Sequence, residues 1–144
     1  MSEPIVDAAL EDLIPSVGDL YVGATGDLGT RITGIGYDSR EVSAGDLFFC
    51  VPGARHDGHD HAAQAVARGA IALCAERPTG AGVPEVFVTD VRRAMPLVSA
   101  AALGYPARDL LLVGVTGTNG KTTTTYLLDS ILRAVGHTTG IIGT

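Results

Sequence analysis

The chain has one lysine, Lys121, and it stands in the run Thr116-Gly117-Thr118-Asn119-Gly120-Lys121-Thr122, while the remaining basic side chains are all arginines. Just upstream, Asp109 to Val115 reads as a buried strand, through Leu110, Leu111, Leu112 and Val113. Downstream, Thr124 to Val135 carries Leu127, Leu128, Ile131, Leu132 and Val135 at the spacing of an amphipathic helix. A strand, a glycine-rich turn and a helix opened by Gly-Lys-Thr form an arrangement that binds a nucleoside triphosphate. Backbone N–H groups of the turn and of the helix N-terminus converge on phosphate oxygens, and the lysine adds a mobile positive charge. The Thr122 hydroxyl would complete the coordination of a Mg2+ ion bridging the phosphates of ATP. The match to the general P-loop pattern is partial, because Val115 occupies the place of its first glycine and the glycines fall at 114, 117 and 120. The alternative is a strand-to-helix turn without a ligand; the lone lysine and the threonine run Thr122–Thr125 weigh toward nucleotide.

A length of 144 residues suits one domain, or one and part of a second. No stretch approaches the roughly eighteen consecutive apolar residues of a membrane span, so no membrane insertion is expected. Met1 to Leu13 holds Glu3, Asp7, Glu11 and Asp12 with no basic residue, which does not read as a secretory signal. Cys50 and Cys74 lie in apolar, strand-like runs and read as buried thiols of a cytoplasmic protein rather than as a disulfide. The formal charge of −6, with no basic stripe, argues against nucleic acid as a partner but not against a phosphorylated ligand held at a local site.

Along the chain, residues 5–14 read as a short amphipathic helix and 15–30 as turns with room for one strand. Arg31–Tyr37 and Asp46–Val51 read as strands, Asp60–Arg68 as a helix closed by Gly69, and Ala70–Ala75 and Glu85–Thr89 as two further strands around a Pro/Gly loop. Asp90 is placed to cap a helix running to about Leu103, in which Pro96 should introduce a kink or delay the regular part. Gly104-Tyr105-Pro106-Ala107 breaks the chain before the nucleotide strand, and Thr138–Ile142 reads as a new strand after the helix. The expected organisation is α/β: a small N-terminal domain over 1–106, then the first strand–loop–helix–strand of a P-loop ATPase domain over 107–144. One βαβ unit leaves both sheet faces in need of cover, so this second part reads as truncated.

A second constellation is Tyr37-Asp38-Ser39-Arg40, followed by Gly45-Asp46-Leu47-Phe48-Phe49 and by Pro52-Gly53-Ala54-Arg55-His56-Asp57-Gly58-His59-Asp60. Asp38-Ser39-Arg40 at a strand end is either a local side-chain-stabilised turn or a set of polar groups offered to a ligand. His56, His59 and His61 with Asp57 and Asp60 match no tetrahedral zinc spacing and read as a solvated loop and helix start.

Taken together, TGTNGKTTTT, a helix and GIIGT, preceded by YDSREVSAGDLFFCVPGARHDGHDHAAQAVARGA, resemble the Mur ligases of peptidoglycan synthesis. The likeness runs from about Ile32 to Thr144 and is greatest to the branch that adds the third amino acid to UDP-N-acetylmuramoyl-L-alanyl-D-glutamate. The glycine pattern that departs from the general P-loop is the one this family uses. The resemblance implies an N-terminal domain that holds the UDP part of the substrate, with Tyr37 and Ser39 at the uridine and Ala54, Arg55 and His56 closing over it. It implies an ATP loop at Gly117, Thr118, Asn119, Gly120, Lys121, Thr122 and Thr123, with Lys121 as the catalytic cation on the phosphates and Thr122 on Mg2+. In the family's reaction a substrate carboxylate is phosphorylated by ATP and the acyl phosphate is attacked by an amino group, here that of diaminopimelate or lysine. The family's D-Ala-D-Ala-adding branch shares the Asp-Ser-Arg and Asp-Gly-His-Asp features, whereas GIIGT favours the third-residue enzyme. A UDP-sugar-binding module without catalysis and an unrelated P-loop kinase are the readings outside this class.

Overall fold

A computed structural model describes residues 6–53 and 56–143, which divide into two compact units, one ending at Arg108 and the other beginning at Asp109. The first unit is built on a five-stranded sheet of order β2-β7-β6-β5-β4, with β2 Tyr21–Thr25, β4 Gly34–Gly36, β5 Asp46–Phe49, β6 Ala72–Ala75 and β7 Glu85–Val88. The four strands β4, β5, β6 and β7 run parallel, and β2 closes one edge antiparallel to β7. A short pair, β1 Ala8–Ala9 with β3 Arg31–Ile32, stands apart from this sheet.

Side-chain alternation along the parallel strands builds two cores. Leu47, Phe49, Ala72, Cys74, Val86 and Val88 face one side with Leu10, Leu13 and Val17 from the N-terminal segment and Val91, Ala94 and Val98 from the helix that follows β7. Phe48, Cys50, Leu73 and Ala75 face the other side against Ala62 and Ala65 of the helix that precedes β6. Cover on both faces is what allows strands such as β5 and β6 to be buried at every position. Each large side chain sealed in this way, Phe48, Phe49 or Leu73, contributes about 1.5–3 kcal/mol of transfer free energy. Cys50 and Cys74 are free, buried thiols, and burial pushes both up to about 12.

Helix α2 (Ala62–Arg68) ends as its sequence indicates. Gly69 adopts φ 120°, its N–H donates to the Val66 carbonyl and the Ala70 N–H to that of Ala65. A Cβ at Gly69 would also press within 2.7 Å of the Ala44 Cα, so glycine is required there twice over. Helix α3 (Val91–Ala102) opens on the Asp90 carboxylate, which accepts from the Arg93 N–H at 3.0 Å. Pro96 does not delay α3, which is helical from Val91 onward; the proline lies on the exposed side, where water can take the hydrogen bond the Arg92 carbonyl loses.

The helix expected over 5–14 is a correction. Among the described residues of that span only α1 (Leu10–Leu13) is α-helical, because Ala8 and Ala9 pair with Ile32 and Arg31 and the chain leaves α1 in a 3-10 segment, Ile14–Leu20. The pairing is reinforced by Arg31 Nε donating to Asp7 at 2.8 Å, a partner 24 residues away that no local periodicity reports.

The second unit holds helix α4 (Lys121–Ala134), which begins three residues before and ends one residue before the span the periodicity indicated. Its C-terminus is closed by Gly136 at φ 92°, with the His137 N–H donating to the Leu132 carbonyl and the Gly136 N–H to that of Arg133. The strands expected at Asp109–Val115 and Thr138–Ile142 do not form: among the described residues neither segment has a ladder partner. Leu111 is 87% exposed and Ile142 fully so. Among the described residues no helix is long and apolar enough to cross a membrane.

Candidate functional site: a cleft at the strand ends and a phosphate-type loop

In the first unit an open cleft of about 490 Å³ lies beyond the carboxyl ends of the parallel strands β4 and β5, where open α/β sheets hold ligands. The turn after β4 supplies Tyr37, Asp38, Ser39 and Arg40; the chain after β5 supplies Val51, His56 and Gly58; α2 and the 3-10 turn before it supply Gln64 and His61. Of the residues picked out by the sequence, Tyr37, Ser39 and His56 are thereby brought to one cavity, and Ala54 and Arg55 lie outside the described residues.

Each side chain has a distinct place. The Tyr37 ring is 68% exposed at the rim, open to stacking by a flat ligand. Ser39 is buried, and its hydroxyl is hydrogen-bonded to the Gln64 side-chain amide at 2.9 Å. Asp38 accepts from the Arg40 backbone N–H and Nε at 2.9 Å each and from Nη2 at 2.6 Å. That guanidinium, and then the backbone N–H, hold the Asp38 carboxyl far below the usual carboxylate range. Asp38 and Arg40 make the side-chain-stabilised turn that the Asp-Ser-Arg run suggested, and the turn sets Ser39 and Tyr37 on the lining of the cleft. Gln64 escaped the sequence reading, although it is the one polar residue within Ala62-Ala63-Gln64-Ala65-Val66-Ala67.

The histidines part company. His56 and His61 approach edge to face, ring centroids 6.3 Å apart, while His59 is buried. His59 Nδ1 meets Asp57 Oδ1 at 2.6 Å, and Nε2 accepts from the Glu76 backbone N–H at 2.9 Å. A backbone N–H always donates, so Nε2 is unprotonated and the ring proton sits on Nδ1. Neither nitrogen has a lone pair left for a metal. Asp57 also accepts from the His59 N–H and from Arg77 Nη2, both at 2.9 Å, and its carboxyl lies far below the usual range, chiefly through the first of these two.

In the second unit the turn Thr116–Gly120 leads directly into α4, with Gly117 at φ 150° and Gly120 at φ 75°. No side chain caps α4, so the first-turn N–H groups of Lys121, Thr122 and Thr123 are presented to whatever occupies the mouth of the turn. Lys121 Nζ folds back to donate to the Gly117 carbonyl at 2.6 Å, across the loop it would share with a phosphate. Thr118, Asn119, Gly120, Lys121, Thr122 and Thr123 are all exposed, and Thr125 turns inward to donate to the Lys121 carbonyl at 2.9 Å.

The family profile described as "Mur ligase family, catalytic domain" matches residues 31–107, just over half of the chain and all of the cleft. The chain belongs to the Mur ligase family. Among curated relatives, the UDP-N-acetylmuramoyl-L-alanyl-D-glutamate–2,6-diaminopimelate ligase of Geobacillus kaustophilus is 54% identical over 113 residues, covering 78% of this chain and 23% of that protein. This Mur ligase chain thus spans about a quarter of the length of such relatives. Among solved structures, MurF from Acinetobacter baumannii superposes with a TM-score of 0.71 at 31% identity, covering 92% of this chain and 29% of that one. MurF ligase from Thermotoga maritima, in complex with ADP, matches with a TM-score of 0.58 at 36% identity over 76% of this chain and 25% of that one.

Proposed function

We propose that this chain is the N-terminal part of an ATP-dependent Mur ligase that joins 2,6-diaminopimelate to UDP-N-acetylmuramoyl-L-alanyl-D-glutamate in peptidoglycan precursor synthesis. The observation that carries the reading is the 54% identity, over 113 residues of this chain, to a ligase of that name. Residues 1–106 are read as the UDP-binding domain and 107–144 as the start of the ATP-binding domain. A cytoplasmic location agrees with the free, buried thiols.

Tyr37 offers its exposed ring to the uracil face, and Ser39, paired with Gln64, offers a polar edge beside it. His56 lines the same cleft, and Ala54 and Arg55, its neighbours in sequence, are assigned to the uridine by the resemblance alone. At the other site Gly117, Thr118, Asn119 and Gly120 turn backbone N–H groups toward phosphate oxygens, and the α4 N-terminus adds those of Lys121, Thr122 and Thr123. Lys121 is read as exchanging its bond to the Gly117 carbonyl for the phosphates, keeping positive charge where negative charge accumulates as the γ-phosphoryl departs. The exposed Thr122 hydroxyl, on the first turn beside that mouth, fits a Mg2+ ligand, and the ion when bound would neutralise phosphate charge.

The experiment is an ADP-release assay on the full-length ligase with UDP-N-acetylmuramoyl-L-alanyl-D-glutamate and, separately, diaminopimelate or lysine. ADP release and amide product with diaminopimelate support the reading; product with lysine alone reassigns the amino acid. The D-Ala-D-Ala-adding reading is favoured by the superposition on MurF, and product only with the UDP-tripeptide and D-Ala-D-Ala would establish it instead. UDP binding with no ATP turnover by the full-length protein would leave a binding module.

A further inference from the structure

We propose that His59 is a positioning residue for the nucleotide cleft, holding the His56–Gly58 wall in register through Asp57. The proposal rests on the cleft being the UDP site, and it assigns a role to a buried group that does not line the cleft. His59 is 7% exposed and lies between two parts of the molecule. On one side Nδ1–H donates to the Asp57 carboxylate, and Asp57 lies between His56 and Gly58, both of which line the cleft. On the other side Nε2 accepts from the Glu76 N–H, just past β6, and Glu76 in turn accepts at Oε1 from the first N–H of α3, Val91, at 2.9 Å.

The ring therefore ties a wall of the cleft to the end of β6 and the start of α3. The wall segment is drawn against the chain just after β5 as well. Gly58 N–H donates to the Val51 carbonyl at 3.0 Å, and Pro52 and Asp57 form an antiparallel bridge. A Cβ at Gly58 would come within 2.5 Å of the Val51 nitrogen, so the wall has no slack in that direction and its lateral position falls to Asp57. Arg77 Nη2 is the other side chain holding Asp57, but it is roughly half exposed, whereas the His59 ring is packed. Of the two, the imidazole is the one whose own position is determined by its surroundings.

The two ring nitrogens can be tested separately. In the full-length protein, His59→Asn retains an N–H near the Nδ1 position for Asp57 and drops the Glu76 contact. His59→Gln retains an acceptor near the Nε2 position for Glu76 and drops the Asp57 contact. Both lose packing and should melt earlier by similar amounts. UDP affinity by calorimetry and hydrogen exchange at the Gly58 N–H are then compared. We expect His59→Asn to stay within about twofold of wild type in affinity, and His59→Gln to weaken UDP by about threefold to tenfold, the range of one hydrogen bond, with faster exchange at Gly58. Equal losses in the two variants, tracking their melting temperatures, would reduce His59 to a core residue and overturn the proposal. So would wild-type exchange at Gly58 in His59→Gln. A wild-type protein that fails to bind UDP removes the uridine reading of the cleft, while the exchange measurement still decides whether His59 holds the wall.

Discussion

Two apolar runs in this chain look alike and behave in opposite ways. Leu47-Phe48-Phe49-Cys50 in the first unit is buried at every position, whereas Leu110-Leu111-Leu112-Val113 in the second is exposed throughout and makes no ladder. Composition does not separate them. The first has β4 and β6 on its two edges and a helix layer on each face; the second has none of these among the described residues. An apolar run states that a segment needs cover, and only a partner turns it into a strand. The helix behind the second run forms regardless, because its hydrogen bonds are internal and Gly136 closes it.

The comparison can be broken most forcefully at Lys121. In the full-length ligase, Lys121→Ala should lower turnover by two to three orders of magnitude, about the loss seen when one electrostatic group is removed from a transition state. UDP-substrate binding should stay near wild type, since the cleft lies in the first unit. Near-normal turnover, followed by ADP release, would remove Lys121 from the mechanism.

Stability should separate the two units next. Leu73→Ala, at a side chain with no exposure, should cost about 2–5 kcal/mol in denaturant unfolding of this chain. Leu111→Ala, at a site 87% exposed, should fall within about 0.5 kcal/mol of wild type. Hydrogen exchange sharpens the same contrast, with strong protection expected in β5, β6 and β7 and little at 109–115. Strong protection across 109–115 in a monomer would contradict the account of exposed runs.

A smaller effect is expected at Ser39. Ser39→Ala should weaken UDP-substrate binding about threefold to tenfold, one hydroxyl contact, and leave ATP affinity unchanged. Calorimetry with each ligand checks it; unchanged substrate affinity would leave Ser39 as part of a turn and nothing more.

The subtlest test is the acid limb of the stability curve. The folded-state pKa of Asp57 is depressed by the His59 N–H, then by Arg77 and the His59 ring, so its contribution is fully present above the unfolded carboxylate value, about 4. It is lost as pH falls below that value toward the folded one. Asp57→Asn should therefore be less stable than wild type near neutrality, with the gap narrowing on acidification. Thermal melts over a pH series check this, and a gap that is constant with pH would mean the carboxylate charge does not matter.

Much of the local structure around the two candidate sites is legible in the sequence. Asp90 and Gly69 announce their helix ends because a cap is a local device, readable from a few neighbouring residues. The Asp-Ser-Arg turn and the Gly-Lys-Thr loop are legible for the same reason. What escaped was everything joined across distance: the Ala8–Ile32 pairing, Gln64 under Ser39 from 25 residues away, and His59 reaching Glu76. Gln64 and His59 carry the same letters whether they face water or a partner, and nothing local distinguishes the two.

By itself, then, the sequence determined the local grammar of this Mur ligase chain: the apolar periodicity, the caps, the glycines at turns, and a lysine at the head of a helix. Those features depend on φ/ψ preferences and side-chain spacing within a few residues. Tertiary structure alone decided which apolar runs became strands, which polar residue stands behind Ser39, and why one histidine is buried as a neutral link while its neighbours face the cleft. These outcomes depend on hydrogen-bond partners and on cover against water, which are supplied by segments far along the chain and appear only once it has folded.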